Sequence, residues 1–299
     1  MGGGGEQGQI SLVNIDATMT DQPSHPTPYP EANMVLNVLL PEVQAILGDQ
    51  FIGMYLYGSL AYGGFDRDSD VDFVVVTENE LPEVLFLALK DMHMRIAMLD
   101  SWCATQLEGS YIPRLALKTY DHQRVLHLHI DRGRDEQLQR MRVYDTSLSQ
   151  AWWGGWVLLR AVLWESGIPL AGPPPRTLLD PVTPDELKRA ALAVLHGWAE
   201  PLLEDPDQIK ERGYQSYFVL TMCRIHYTLE FGAVTTKQAA ARWAQVNLDE
   251  RWIDLIERAW DGRRNPQAKA HAQDIQETQE LIRYTLDHTS YAEKKKEIP

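Results

Sequence analysis

The sequence is poor in cysteine, in long apolar runs and in positive charge, and each shortage excludes a class of protein. Its two cysteines, Cys103 and Cys223, cannot form a disulfide framework or a zinc cluster by themselves. A reducing cytoplasm suits them. The longest apolar runs, such as residues 73–76, are far shorter than the roughly 20 residues that cross a bilayer. No basic stretch leading into an apolar core follows Met1, so a secretion signal is not expected.

The charge balance is acidic, with 28 Lys and Arg residues against 42 Asp and Glu residues and a formal net charge of −14. Because binding to a phosphate backbone depends on clustered Lys and Arg, we do not expect a nucleic acid partner. No membrane partner is expected either. An acidic protein attracts cationic small molecules, and such a molecule is therefore compatible with the composition.

Composition and periodicity divide the 299 residues into four segments. Residues 1–28 are rich in Gly, Pro, Ser and Thr and predict a flexible lead-in. Residues 29–143 alternate helical and strand patterns, which predict an α/β domain with a mixed sheet. Residues 144–290 carry helical patterns and predict an all-helical domain, and residues 291–299 predict a disordered tail. The expected fold class is therefore α+β.

The stretch with the clearest chemical meaning runs from Gly58 to Asp72. Gly58 and Ser59 follow a predicted strand and form a tight turn, with backbone N–H groups and a hydroxyl facing outward. Such a turn, running into the start of a helix, can hold a phosphate. Asp70 and Asp72 begin the next predicted strand, where residues i and i+2 share one face, so both carboxylates project together.

Two carboxylates on one face of a buried strand are unfavourable unless a cation lies between them. Magnesium binds through one or two carboxylates, with substrate phosphates and water completing its coordination. Two such ions can hold the attacking and leaving oxygens of an in-line displacement. A bare Asp-x-Asp is more often a pair of turn acids, but its coupling to Gly58-Ser59 and to an apolar strand favours a metal site at Asp70 and Asp72.

This arrangement, Gly-Ser followed by Ser-Asp-x-Asp, resembles the signature of the DNA polymerase beta nucleotidyltransferase superfamily. That superfamily has a third carboxylate on a neighbouring strand, and the resemblance implies that Glu108 supplies it as a catalytic residue and metal ligand. In the aminoglycoside-modifying members, the matching carboxylate is thought to act as a general base on the acceptor hydroxyl. From its position alone, Glu108 could equally be an exposed strand residue.

The second half resembles the helical domain of the streptomycin and spectinomycin adenylyltransferases, through residues 164–173, 219–228 and 232–244. The similarity covers about residues 35–262, in both predicted domains, in matching order.

The resemblance implies three further nucleotide-binding residues beside Gly58 and Ser59. Lys237 would reach the nucleotide phosphates, Arg224 would line the same cleft, and Trp260 would lie near the nucleotide. ATP also brings more negative charge than magnesium and three acids tolerate unaided, so a cation from the facing domain is expected. Arg224 could instead pair with a buried acid, and Trp260 could belong to the core.

The segment that would bind a cationic acceptor departs from the family pattern. In the family, carboxylates lie just before residue 219, whereas the acids of residues 209–217 do not fall on the matching positions. Glu204, Asp205 and Asp207 lie upstream and could substitute, or they could belong to a solvated loop. The substrate tryptophan of the family has no clear match in residues 131–142.

The predicted function is transfer of AMP from MgATP to a hydroxyl of a small molecule, most readily an aminoglycoside antibiotic. ATP is the expected co-substrate, and two magnesium ions are the expected cofactors. The altered acceptor segment keeps open a nucleotide-binding or regulatory protein without turnover, or an enzyme with a different acceptor, including a protein. Two histidines on one predicted strand, His127 and His129, lack a third ligand and are interpreted as sheet surface.

Overall fold

The computed structural model describes residues 26–118, 126–130, 138–142 and 149–296. Most of the predicted lead-in, residues 1–25, lies outside the described residues. The strands of the described part are β1 (Phe51–Leu56), β2 (Val71–Thr77), β3 (Leu107–Pro113), β4 (Leu126–Ile130), β5 (Gln139–Arg142) and β6 (Ile168–Ala171). Its α-helices are α1 (Pro30–Leu47), α2 (Gly58–Tyr62), α3 (Glu83–Ile96), α4 (Arg114–Lys118), α5 (Ser149–Ser166), α6 (Pro184–Val194), α7 (Arg212–Phe231), α8 (Lys237–Asn247), α9 (Ile253–Gly262) and α10 (Ala272–Lys296).

The strands form one mixed sheet in the order β5-β4-β3-β2-β1-β6. Only the central β2–β3 pair is parallel, and the other described pairs are antiparallel. The mixed sheet and the α+β fold class are as predicted. Because β6 pairs with β1, the sheet reaches beyond residue 143, where the sequence places the end of the first domain. The division at that residue remains a prediction.

The two faces of the sheet pack against different helices. Phe73 of β2 lies in a core with Leu36 of α1 and Leu89 of α3. The next residue, Val74, lies in a core with Trp156 of α5. Since successive side chains of a strand point to opposite faces, the even-numbered positions of β2 face α5.

Helix α5 joins the sheet to the helical half. Its Leu163 packs with the sheet, whereas its Val157 and Ala161 pack with Leu187 and Ala190 of α6. The helical half has a core of its own around α7, formed with α8, α9 and α10. Within the described residues, no helix is both long and apolar enough to span a bilayer.

Helix α1 runs unbroken past Pro41, whose exposed position leaves water free to hydrate the carbonyl that its missing N–H cannot bond. Two other local features differ from the sequence-based expectations. Strand β6 interrupts the half that the sequence predicts to be all-helical. Helix α10 extends to Lys296 through residues 291–296 of the predicted disordered tail. Lysine is a good helix former and is favoured at a helix C-terminus.

Candidate active site

The turn after β1 is built around a glycine in the left-handed region. Tyr57 is extended, and Gly58 follows with φ +61° and begins α2. A Cβ placed on Gly58 would lie 2.7 Å from Cγ of Asp72 and closer still to Oδ2. The absence of a side chain therefore lets the Asp72 carboxylate rest against the turn. The backbone N–H of Ser59 donates a hydrogen bond to that carboxylate, and its charge-assisted character lowers the pKa of Asp72.

The predicted carboxylates come together on the α5 face of the sheet. The parallel register sets Asp72 of β2 directly beside Glu108 of β3, and Asp70 lies two residues before Asp72. All three carboxylates lie close enough to the phenol of Tyr57 to affect its pKa. Burial raises the pKa of Tyr57 well above its ordinary value, and the charges of Asp72, Glu108 and Asp70 raise it further.

The positive groups near Asp72 do not fully offset its burial and the charge of Asp70. Burial, followed by the charge of Asp70, raises the pKa of Asp72 from 3.8 to about 7, against the opposing effects of Lys237, the Ser59 N–H and Arg224. Near neutral pH, the carboxyl is therefore partly protonated. A divalent cation bound to the pair would favour its ionised form.

This donor set fits magnesium better than a metal held by protein alone. Within the described ranges, no group of three or more His, Cys, Asp and Glu side chains forms a self-contained metal site. Magnesium does not need one, because it is usually bound through one or two carboxylates with phosphate oxygens and water. Asp70 and Asp72, with Glu108 alongside, match that pattern.

Two cations of the helical half, Lys237 of α8 and Arg224 of α7, lie near the carboxylates. Lys237 is the first residue of α8, whose N-terminus is capped by the Thr236 hydroxyl accepting from Ala239 N–H at 3.0 Å. Burial lowers the pKa of Lys237, and Arg224 lowers it further, whereas Asp70 and Asp72 raise it. Lys237 therefore acts on both Asp70 and Asp72, and Arg224 acts on Asp72.

Two buried polar atoms in this cleft have no hydrogen-bond partner in the described part of the protein. One is Nε of Arg224, whose Nη2 donates to Thr221 Oγ1 at 3.1 Å. The other is Oγ of Ser59, on the turn after β1. A buried donor without a partner is costly, and both groups are donors of the kind that bind phosphate oxygens.

Trp260 is the one predicted nucleotide-binding residue that lacks a described contact with the carboxylates. It packs against the core of the helical half, and the guanidinium of Arg263 lies 4.5 Å from its ring centroid. Arg263 in turn affects Lys237, where its charge lowers the pKa of the ammonium group. The role of Trp260 near the nucleotide therefore remains a prediction.

Sequence reasoning missed three side chains of the site. Tyr57 immediately precedes Gly58, and its place at the end of an apolar strand is the signal that could have identified it. Burial raises the pKa of Tyr217, with Arg224 opposing and Glu108 reinforcing that change, so this phenol lies near both groups. Arg263 follows Trp260 by three residues, one helical turn, and binds Asp66 in the sheet half.

Two of the acids upstream of α7, Asp205 and Asp207, make local contacts. Asp205 accepts the Asp207 N–H at 3.1 Å, and Asp207 pairs with Lys210 at 2.5 Å on the exposed surface. These contacts favour a solvated loop over an acceptor site at Asp205 and Asp207.

The interpretation of the two histidines as sheet surface is wrong for His127. It is buried on the α5 face, with its ring centroid 5.5 Å from that of Trp156. His129 lies beside Ser110, and its Nδ1 is 2.9 Å from the Ser110 hydroxyl oxygen. Alternation along the strand identifies the shared face of the histidines but cannot show that a distant helix covers it.

Comparison with known proteins places both halves of the chain. A nucleotidyltransferase domain model matches residues 39–131, and the model of the aminoglycoside adenylyltransferase C-terminal domain matches residues 177–288. A spectinomycin 9-adenylyltransferase of Staphylococcus aureus is 27% identical over 231 residues, covering 74% of this chain and 81% of that protein. An aminoglycoside (3'') (9) adenylyltransferase of Escherichia coli is 25% identical over 230 residues, covering 76% and 82%.

The fold is shared with a crystal structure of an Enterococcus spectinomycin adenyltransferase, determined with ATP and spectinomycin. The two superpose with a TM-score of 0.60 at 16% identity, over 84% of this chain and 96% of that chain. The two domain models occur in the order that the sequence motifs predict, and the relatives match across both halves. The chain belongs to the aminoglycoside nucleotidyltransferase family.

Proposed function

We propose that the protein is an adenylyltransferase that moves AMP from MgATP to a hydroxyl of an aminoglycoside antibiotic and releases pyrophosphate. One observation carries the proposal. The sheet half presents Asp70, Asp72 and Glu108, and the helical half presents Arg224 and Lys237 to the same place. Family membership supports the reaction class, and the relatives named above are adenylyltransferases of spectinomycin and other aminoglycosides.

The nucleotide is bound by groups that lack a satisfactory partner without it. The turn at Gly58 and Ser59 offers backbone N–H groups and a buried hydroxyl to phosphate oxygens. Lys237 and Arg224 bind the same triphosphate, and the buried Nε of Arg224 gains its missing acceptor. Trp260 lies against Arg263, whose charge in turn affects Lys237.

Asp70, Asp72 and Glu108 are the residues that would hold two magnesium ions. When bound, these ions would neutralise phosphate charge and help to orient the reacting oxygens. The raised pKa of Asp72 supports this assignment, since Lys237 and Arg224 do not fully offset the effects of burial and of the Asp70 charge.

Glu108 is the general base of the proposed reaction. Its carboxylate takes the proton of the acceptor hydroxyl, whose oxygen forms a bond to the α-phosphorus of ATP. The bond from the α-phosphorus to the bridging oxygen breaks, and pyrophosphate leaves with that electron pair. Lys237 and Arg224 stabilise the negative charge that develops on the leaving phosphates.

The acceptor is proposed to be cationic, as the aminoglycosides are. The formal charge of −14 favours a positively charged molecule over a neutral one. Since Asp205 and Asp207 serve local turns and the acids of the cleft are assigned to magnesium, we infer that the tyrosines beside those acids, Tyr57 and Tyr217, contribute to recognition of the acceptor.

The proposal is tested by measuring pyrophosphate release from MgATP with streptomycin, spectinomycin and a wider aminoglycoside panel. Release with at least one drug is expected for the wild type, and its loss is expected in Asp72→Asn. Asp91→Asn, on the exposed side of α3, is the matched control and should behave as the wild type. Metal-dependent ATP binding without release for any acceptor would favour a regulatory protein and refute the proposal.

A further inference from the structure

An ion pair connects the helical half to the loop that leads to the candidate metal ligands. Arg263 directly follows α9, and its Nη2 lies 3.3 Å from both carboxylate oxygens of Asp66. Asp66 belongs to the loop between α2 and β2. The Arg263 side chain is only 17% exposed, whereas that of Asp66 is 46% exposed. The Arg263 guanidinium also lies over the ring of Trp260, and this contact restricts the orientation of the Arg263 side chain.

The carboxylate of Asp66 organises the residues that lead into β2. It accepts the Ser69 hydroxyl at 2.7 Å and the Asp68 N–H at 3.0 Å. The Ser69 oxygen accepts the Asp66 N–H at 3.0 Å, and the Ser69 N–H donates to the Asp66 carbonyl at 3.1 Å. Ser69 is buried and immediately precedes Asp70. The position of Asp66 therefore determines where the chain presents Asp70 and, two residues later, Asp72.

On the other side, Arg263 belongs to the same wall as the two cations of the site. Its charge contributes to the lowered pKa of Lys237, so the two groups are close enough to interact. Helix α9 packs against α7, which carries Arg224. Arg263 thus connects the helices that carry Arg224 and Lys237 to the loop of residues 66–69, which leads directly to Asp70.

We propose that Arg263 is a positioning residue for the nucleotidyl transfer. By holding Asp66, it fixes the loop of residues 66–69 and sets the Asp70–Asp72 pair against Arg224 and Lys237. A partly exposed ion pair adds little to stability, but small errors in the placement of catalytic groups reduce rates strongly. The consequences for MgATP rest on the proposed function, whereas the ordering of the loop does not.

The loop is tested first, without any ligand, by hydrogen exchange of the Asp66, Asp68 and Ser69 amides in the full chain. Arg263→Gln should accelerate their exchange by about tenfold or more, because the carboxylate that orders them loses its anchor. Arg264→Gln is the matched control. Arg264 is the next arginine, its side chain is 74% exposed, and its Nη1 lies 3.8 Å from Oδ1 of Asp261 in α9. Exchange in Arg263→Gln equal to that of the wild type and of Arg264→Gln would overturn the proposal.

The second test is a double-mutant cycle on MgATP affinity, measured by calorimetry for Arg263→Gln, Asp66→Asn and the double variant. If Arg263 acts through Asp66, all three should bind MgATP about tenfold more weakly, and the second change should add nothing to the first. Arg263→Lys should recover part of the loss, because lysine keeps the charge but not the two-pronged contact. Weakened binding in Arg263→Gln with normal binding in Asp66→Asn would mean that Arg263 contacts phosphate directly, and would overturn the positioning role.

These outcomes are separable from a failure of the proposed function. A wild type that releases no pyrophosphate with any acceptor would refute adenylyl transfer, yet the amide exchange would still decide whether Arg263 orders the loop. Conversely, an active wild type with an Arg263→Gln variant unchanged in exchange and in MgATP affinity would retain the function and refute the role of Arg263.

Discussion

The carboxylate of Asp72 occupies the space in which a side chain on Gly58 would begin. A Cβ on Gly58 would lie 2.7 Å from Cγ of Asp72, and the φ of Gly58 is +61°. The turn proposed to bind phosphate and the carboxylate proposed to bind metal are therefore in direct contact, although they come from different elements of the chain. Changes on either side of this contact should affect both.

Gly58→Ala should strongly reduce turnover while leaving the protein folded. Alanine at this φ costs about 1–2 kcal/mol of stability, and its Cβ must also displace Asp72. Gly63→Ala is the matched control, since Gly63 has φ +75° and no atom within 4 Å of its would-be Cβ. Both variants should lose stability in urea unfolding, Gly58→Ala the more because of its clash with Asp72, but only Gly58→Ala should lose about 100-fold or more in rate. Equal activity in the two variants would contradict the coupling of Gly58 to Asp72.

The raised pKa of Asp72 predicts how stability depends on pH when no nucleotide is present. Between pH 3.8 and about 7, the folded protein retains a proton that the unfolded chain has released. The stability that this retained proton contributes to the folded protein is therefore complete below pH 4 and is lost as the pH rises through 7. Asp72→Asn stays neutral, so at pH 8 it should be about 1–3 kcal/mol more stable than the wild type, with no difference near pH 4.

Urea unfolding of both proteins from pH 4 to pH 8 measures this difference. Buried histidines whose pKa is lowered, His93, His127 and His226, destabilise both proteins alike in acid, so their effect cancels in the comparison. A stability difference that does not change with pH would show that Asp72 has an ordinary pKa.

Lys237→Met should weaken MgATP binding without destabilising the protein. The variant loses a charge-assisted contact to phosphate, which corresponds to about 10- to 100-fold in affinity. It also removes a half-buried cation whose pKa is lowered chiefly by desolvation, so stability should be unchanged or higher. Calorimetry and urea unfolding provide the two readouts, with Lys210→Met as the control on an exposed lysine. MgATP affinity equal to that of the wild type would remove Lys237 from the nucleotide site.

Glu108→Gln should separate nucleotide binding from chemistry. Loss of a general base lowers the rate by about 10²- to 10⁴-fold, whereas an amide of the same shape preserves the fold. MgATP affinity should change less than turnover, because Asp70, Asp72 and the two cations remain. Steady-state pyrophosphate release and calorimetry measure the two quantities. A variant that keeps wild-type turnover would exclude Glu108 as the base.

Much of the sheet half could be predicted from the sequence because its signals are local. The glycine turn, the i and i+2 placement of Asp70 and Asp72, and the following apolar strand all lie within twenty residues of one another. The family resemblance then supplied Glu108, and the register confirmed its place beside Asp72. Whether these residues perform the predicted roles stays a prediction.

The remaining features depend on contacts between distant parts of the chain. The pair of Asp66 and Arg263 spans 197 residues, and neither residue is unusual in its local sequence. Strand β6 is only four residues long and contains Pro169, so its pairing with β1 is decided by the edge that β1 offers. Burial of His127 depends on α5, which covers the strand from a separate segment.

The transfer of AMP itself is measured by mass spectrometry of streptomycin, spectinomycin and the wider aminoglycoside panel after incubation with the protein and MgATP. The wild type and Asp91→Asn should add the mass of one adenylyl group to at least one drug, and Asp72→Asn should leave every drug unmodified. If the wild type binds MgATP and yet leaves all of them at their original mass, the protein is not an aminoglycoside adenylyltransferase.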